Sequence, residues 1–242
     1  MNGLKIHYLY NSGFCVETEN NILIFDYYND KGIEDEKSIE NGVIGGDLLT
    51  TGKRVYIFVS HSHYDHFNSL IFEFTKLNSS VKYILSSDVE SVEEGIDYLI
   101  VKKGETIKLD NLIVKVYGST DQGVSFLVNC DDFKLFHAGD LNWWHWKEDS
   151  AQDNQNAEKW FKEEIELIKG EKIDVAFFPV DGRQEEYYYL GGKYFIENLK
   201  PKVFIPMHFR ENFEITKEFK NKMNASDTKI YEIPYRGFKI EI

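Results

Sequence analysis

The sequence predicts an α+β protein in which two mixed β-sheets stack face to face with helices outside. Three observations carry this. Strand-like runs dominate the beginning, where "LKIHYLY", "GFCVETE" and "NILIFDYY" follow one another. Later, a hairpin leads into β-α-β alternation. Between strands, Ala157, Trp160, Phe161, Ile165 and Ile168 recur at helical spacing. A layered sandwich buries the apolar face of every such element. At 242 residues, 42% hydrophobic and 15% aromatic, the chain suits a single domain over 1–242 or two tightly fused halves, with length enough for a sizeable core.

Taken in order, the Asn20-Asn21 pair marks a hairpin turn between the second and third strands. Residues Asn29 to Thr51 are polar, glycine-containing and acidic, and read as a long loop. A strand over Arg54 to Ser60 follows, then a histidine-rich loop and a helix near Ser69 to Leu77. Short strands are expected around Lys82 to Leu85, Tyr98 to Val101 and Leu112 to Val116. The hairpin comes next: "VSFLVN", a Cys-Asp-Asp turn, then "FKLFHAGD". The helix through Ala157 to Ile168 stops at Gly170. A strand "IDVAFFPV", a helix near Tyr188 to Leu199, a strand "KVFIPMH", a helix from about Asn212 and closing strands "KIYEI" and "GFKIEI" complete the chain.

Composition weighs against several classes. The net charge of −13 opposes nucleic acid and anionic membranes, and no Lys/Arg block exceeds two residues. No run approaches the roughly 18 apolar residues of a membrane span. The start, "MNGLKIHYLY", lacks the plan of a signal peptide, so a cytoplasmic location is expected. Cys15 and Cys130 are the only two cysteines, each in or beside an apolar run, and read as buried thiols.

The chemistry concentrates after the fourth expected strand, where "VYIFVSHSHYDHF" places His61, His63, Asp65 and His66 within six residues. A polar cluster at the end of a buried strand is costly unless something satisfies it. Imidazole suits zinc, copper, iron and nickel, so metal ligation resolves that cost. A lone histidine carries no such implication, and His7 reads as an ordinary hydrogen-bonded residue.

"HSHYDH" resembles the H-x-H-x-D-H signature of the metallo-β-lactamase-fold hydrolases, of a lactonase-like branch. Further markers resemble the family in order: "YNSGFCVETENNILIFD" its opening hairpin, "LFHAGD" its strand-Gly-Asp element and "IPMHF" its late strand-end histidine. The resemblance covers essentially the whole chain and implies a four-layer αββα sandwich with metals at one edge between the sheets. It implies His61 and His63 on a first metal, Asp65, His66 and His208 on a second, and Asp140 bridging, with Gly139 letting the backbone turn. It implies zinc, one or two ions, with manganese or iron as alternatives. An ion so held lowers the pKa of bound water from about 16 toward about 7 and polarises the bond to be cleaved. Asp65 is the expected catalytic residue, orienting that water and accepting its proton.

The family pattern breaks at one place. It expects another first-metal histidine before the strand leading to Gly-Asp, where this chain has Ser119, Thr120 and Asp121. Three outcomes stay open: Asp121 substitutes, His145 swings in, or the first site is weak. Asn11 stands where many relatives carry histidine, and its amide can still hydrogen-bond a loop. His137 reads as an orienting partner rather than a ligand, and Asp26 as a group that fixes the histidine loop. Trp143, Trp144 and Trp146 form either an apolar wall or a buried plug. Trp143, Trp144, Asp181 and Arg183 are candidates for a substrate pocket; an arginine there can hold a carboxylate or phosphate, or serve only as a salt bridge. Tyr187 to Tyr189 read as helix packing.

The expected activity is hydrolysis of a small ester, lactone or phosphoester. The alternatives are a phosphodiesterase or nuclease of the same fold and a metal-binding module without turnover. A small-molecule partner is expected, with no membrane; the sequence does not set the oligomeric state.

Overall fold

Where a strand is buried on both faces its sequence is a continuous apolar run, and where one face meets water it alternates. Both patterns appear in the computed structural model, which describes residues 3–32, 37–90, 92, 94–223 and 227–242. The described strands begin with β1 (Lys5–Tyr10), β2 (Gly13–Glu17), β3 (Asn21–Phe25), β4 (Arg54–Val59), β5 (Lys82–Ser86) and β6 (Tyr98–Val101). They continue with β7 (Thr106–Leu109), β8 (Leu112–Gly118), β9 (Val124–Cys130), β10 (Phe133–His137) and β11 (Val175–Pro179). The last are β12 (Val203–Met207), β13 (Lys229–Ile230) and β14 (Lys239–Glu241). The described α-helices are α1 (Gly46–Leu49), α2 (Phe74–Leu77), α3 (Ala151–Ile168), α4 (Leu190–Leu199) and α5 (Glu214–Lys222). None of the described helices is long and apolar enough to cross a membrane.

The chain divides into two compact units, 1–102 with 235–242, and 103–234. The first holds a seven-stranded sheet of order β14-β1-β2-β3-β4-β5-β6. Its strands run antiparallel as far as β3 and parallel from β3 to β6. The second holds a seven-stranded sheet of order β7-β8-β9-β10-β11-β12-β13, antiparallel as far as β10 and parallel beyond it. The two sheets therefore repeat one plan, and the mixed character expected from the sequence is present in each.

Burial follows the pattern. Every residue of β3, β11 and β12 is buried, whereas β8 alternates along its length. Ile24, Ile57, Val59 and Leu85 contribute to the core of the first unit. In the second, α3 is capped by Ser150, whose side chain accepts from the Asp153 N–H at 3.1 Å, and it buries Phe161, Ile165 and Ile168 on one face. Gly170, at φ 92°, lies just past its end.

Several expectations are corrected. The loop expected over Asn29 to Thr51 contains a 3-10 turn, Ile39–Asn41, and α1; its residues 33–36 lie outside the described residues. The helix near Ser69 is a 3-10 turn, Ser69–Glu73, running into α2. Cys130 belongs to β9, so the hairpin turn is Asp131-Asp132, with Asp131 at φ 50°. Tyr187 ends a 3-10 turn that starts at Gly182, and α4 starts only at Leu190. The strand β7 was not expected, and the strand read from "KIYEI" is limited to Lys229–Ile230. Both cysteines are buried and outside any disulfide, and burial pushes the Cys15 thiol up.

Arg236 organises the long loop of the first unit. Its guanidinium donates to the carbonyls of Leu9 (2.7 Å), Lys31 (2.6 Å), Asn29 (2.8 Å) and Gly42 (3.1 Å). It also lies 5.2 Å from the Tyr10 ring centroid. A lysine cannot reproduce that planar fork. Arg236→Lys is expected to cost about 2–3 kcal/mol, the scale of charge-assisted hydrogen bonds left unmade, and to lower the melting temperature by about 5–10 °C. A thermal melt within error of wild type would show that the loop is held by other contacts.

Candidate metal centre

In the first unit, β4 ends at Val59 and the next residues turn back on themselves. The N–H groups of His66 and Phe67 donate to the His63 carbonyl at 3.0 and 2.9 Å. This brings the rings of His61 and His63 to 4.6 Å and those of His61 and His66 to 4.0 Å, centroid to centroid. His61, Asp65 and His66 are buried; His63 is half-buried. The expected quartet is therefore one local cluster.

Asp26, directly after β3, holds the cluster from behind. It sits at φ 42°, which aspartate tolerates better than most residues. Its Oδ1 accepts the Ser60 N–H at 2.7 Å. Its Oδ2 accepts the Ser60 hydroxyl at 2.6 Å and lies 2.8 Å from His66 Nδ1. A carboxylate only accepts, so His66 carries its proton on Nδ1. Ser60 has one proton and gives it to Asp26, so the contact of its Oγ with His61 Nδ1 at 2.9 Å needs the proton of His61. Both imidazoles thus present Nε2 as a lone-pair donor. The sequence reading of Asp26 matches this arrangement; Ser60, which completes it, was missed.

Asn11 and Asp88 hold the rest of the loop. Asn11, at φ 51° and fully buried, donates from Nδ2 to the Asp65 carbonyl and to Asp65 Oδ2, each at 3.4 Å. This is the loop-holding amide the sequence suggested. Asp88 accepts the Ser62 N–H at 2.7 Å; its only signal was an aspartate shortly after an apolar strand.

In the second unit, β10 runs into His137, Ala138, Gly139 and Asp140. Gly139 has φ 52°, so the backbone turn expected of it is present. His137 is buried, and its Nδ1 accepts the Gly139 N–H at 3.2 Å. It positions the loop that carries Asp140. His208 follows β12 at φ 63°, a conformation that a bulky residue adopts only where its surroundings impose it. Its Nε2 is 3.4 Å from Asp140 Oδ1, and its Nδ1 is 3.0 Å from Asp181 Oδ2.

Asp181 does for His208 what Asp26 does for His66. It is 2% exposed, and burial alone would raise its pKa; hydrogen bonds from His208 and Arg183 outweigh that and hold it at about 2. The Arg183 guanidinium grips it through Nε at 2.9 and 3.0 Å and Nη2 at 2.5 Å. Asp181 thus orients an imidazole, and Arg183 makes a salt bridge.

The tryptophans divide between the two roles considered. Trp143 packs against Phe161 and Tyr194, both at 6.3 Å, with Lys162 Nζ 4.9 Å from its centroid. Trp144 donates its indole N–H to the Asp140 carbonyl at 3.0 Å and meets the His208 ring edge-on at 5.7 Å. Trp146 stacks parallel to Trp144 at 5.7 Å.

Of the three residues read in the place of the absent histidine, Thr120 has a structural task. Thr120 Oγ1 donates to the Asn142 carbonyl at 2.6 Å and accepts the Asn142 N–H at 2.9 Å. Asn142 Nδ2 in turn donates to Gln184 Oε1 at 2.9 Å, and Gln184 Nε2 donates to the Trp143 carbonyl at 2.8 Å. These three residues fix the segment after Asp140; Asn142 and Gln184 carried no sequence signal, and Thr120 was noted only beside Ser119 and Asp121 in the place of the absent histidine. Asp121 is exposed, its N–H on Ser119 Oγ at 3.2 Å. His145 lies against Tyr187, ring centroids 3.9 Å apart.

No family model matches the chain. It is 24% identical to a UPF0173 metal-dependent hydrolase of Alkaliphilus metalliredigens, over 95% of this chain and 97% of the relative. It is 29% identical to one of Nanoarchaeum equitans, over 85% and 84%. Among solved structures, the metallo-β-lactamase fold protein YhfI of Bacillus subtilis matches with a TM-score of 0.63 and 10% identity, over 100% of both chains.

Asp26→Asn tests the orienting role. An amide whose NH2 meets His66 Nδ1 moves the imidazole proton to Nε2 and blocks that nitrogen. Chelator competition should then find metal affinity reduced about 10–100-fold, with the far-ultraviolet dichroism unchanged. An unchanged affinity would refute the role.

Proposed function

We propose that this chain, a member of the metallo-β-lactamase fold superfamily, is a metal-dependent hydrolase whose ion is held by His61, His63, Asp65, His66, Asp140 and His208. The observation that carries this reading is the tautomer set. His66 and His208 each have Nδ1 on a buried carboxylate, and His61 reaches one through Ser60. Histidines that bind metal through Nε2 are held in this way. The donor set fits a divalent cation, since imidazole and carboxylate together suit zinc. The curated relatives carry the name metal-dependent hydrolase, which supports the same reading.

On this reading the ligands would fall into two groups, His61 and His63 with Asp140, and Asp65 and His66 with His208. The family resemblance would have Asp140 serve the second group as well. These residues would hold a divalent ion, and the chemistry it would supply is acidified water and a polarised oxygen on the bond to be cleaved. Asp65 orients the attacking water through one carboxylate oxygen and takes its proton, while the Asn11 amide fixes the Asp65 side chain. Trp144 and Trp146 give the substrate an apolar surface beside His208. With Arg183 engaged by Asp181, the substrate is a small ester, lactone or phosphoester rather than a long polyanion. Zinc is the expected metal.

We infer that the group containing His66 and His208 is the tighter one, because the family resemblance expects one more histidine in the first group, where this chain has Ser119, Thr120 and Asp121. Calorimetric titration of apoprotein with Zn2+ should show one tight equivalent and a second at least about tenfold weaker; two equally tight equivalents would contradict this ranking.

A panel of esters, lactones and phosphodiesters tests the activity. Asp65→Asn should lower kcat/KM by about 10²–10⁴-fold, the scale of a lost general base, at saturating zinc. Turnover near wild type in that variant would remove Asp65 from the mechanism. Metal binding by the wild-type chain with no turnover on any substrate would make it a binding module.

A further inference from the structure

Three neighbouring parallel strands of the second unit, β10, β11 and β12, release the loops that carry Asp140, Asp181 and His208. β11 lies in the middle. The 3-10 turn that leaves it, Gly182–Tyr187, is bonded to the loop of each neighbour.

On the β12 side the bond is that of the Asp181 carboxylate with His208 Nδ1. The approach is close: a methyl group on Gly182 would stand 2.6 Å from Asn212 Nδ2. On the β10 side the bond is made by Gln184, which is 2% exposed. Besides its contacts with Asn142 and the Trp143 carbonyl, its Nε2 donates to the His145 carbonyl at 3.4 Å. Tyr187 packs on His145, and Glu185 pairs with Lys147 at 2.9 Å. A methyl group on Gly191 would stand 1.9 Å from Asn142 Oδ1, so this side is also tightly packed. The Gln184 N–H donates to the Asp181 carbonyl at 3.1 Å, which ties the two sides together within the turn.

The backbone records that the turn is held from outside. Glu185 adopts φ 51° and ψ −125°, outside the regions open to a residue with a side chain. Strain of this kind persists only where the surroundings over-determine it. Gln184 immediately precedes it, and its side chain is fixed by the neighbouring loop.

We propose that Gln184 is a positioning residue, through which the turn after the middle strand braces the Asp140 loop against the pair Asp181 and His208. The brace sets Asp140 Oδ1 at 3.4 Å from His208 Nε2. Its consequence for an ion rests on the ligand assignment proposed above; the brace itself is a property of the apoprotein.

Nuclear magnetic resonance of the full-length apoprotein tests it. The Trp144 indole N–H, which donates to the Asp140 carbonyl, reports one side, and the His208 Nδ1 proton, which faces Asp181, reports the other. Gln184→Met keeps the volume and removes the amide. It should speed solvent exchange of the Trp144 indole N–H at least about tenfold, the scale of a buried hydrogen bond lost to local opening, and move the His208 Nδ1 resonance. Lys147→Ala, which removes only the exposed pair with Glu185, should leave both signals as in wild type. An acceleration at Trp144 no larger than that of the β11 amides, which report global opening, overturns the proposal. So does a change at Trp144 with none at His208, or an equal effect of Lys147→Ala. Chelator competition with Zn2+ reads the link to the ion separately, and Gln184→Met should bind about tenfold more weakly. A wild type that binds no zinc would overturn the ligand assignment, while the exchange rates would still decide the brace.

Discussion

A buried carboxylate seated behind an imidazole is the constraint on which the site depends. Asp26 and Asp181 are both nearly inaccessible to solvent, and an isolated buried charge is costly. Donors converge on each: the Ser60 N–H and hydroxyl with His66 in one case, Arg183 and His208 in the other. Stability and chemistry are coupled here. The same hydrogen bond that relieves the carboxylate fixes the ring plane and the tautomer of the histidine, so removing either partner strands the other.

The shared plan of the two sheets explains where these groups fall. In each sheet the parallel strands release the chain at their carboxyl ends, and the polar residues gather there: Asp26 after β3, the histidine loop after β4, Asp140 beyond β10, Asp181 after β11 and His208 after β12. A parallel strand buried on both faces has no polar residues to offer along its length, so its end is the first place where a carboxylate or imidazole can stand. The left-handed backbone at Asp26, Gly139 and His208 turns the chain sharply at those ends. Non-glycine residues in that conformation are strained, and strain persists where the surroundings impose it.

Periodicity made the strand interiors and α3 legible, because long apolar patterns are strong signals. It failed where elements are short or polar. Thr106–Leu109 is four residues set between turn-like flanks, and Gly46–Leu49 is a single helical turn inside an acidic loop. Ligand candidates were legible from residue type and spacing in "HSHYDH". Their supports were not: Ser60, Thr120, Asn142 and Gln184 act through hydroxyls and amides common at any surface. Asp181 and Arg183 were noticed for their charge, yet the partner that gives them meaning, His208, is 27 residues from Asp181 in sequence. Only the fold supplies that proximity.

Thr120 shows how one substitution shapes a site of this kind. A threonine hydroxyl is too weak a ligand to replace imidazole on a soft or borderline cation. Here it is used instead as a double hydrogen-bonding post, donating to one backbone group of Asn142 and accepting from another. That post fixes the segment following Asp140, which also carries Trp144, whose indole returns to the Asp140 carbonyl. On the proposed ligand assignment, the first group would hold a larger share of oxygen than one with a third imidazole, and oxygen-rich sites favour harder ions such as manganese. The gain is a more rigid backbone at Asp140. On the proposed ligand assignment, the chain trades affinity in one group for definition of the carboxylate that belongs to it.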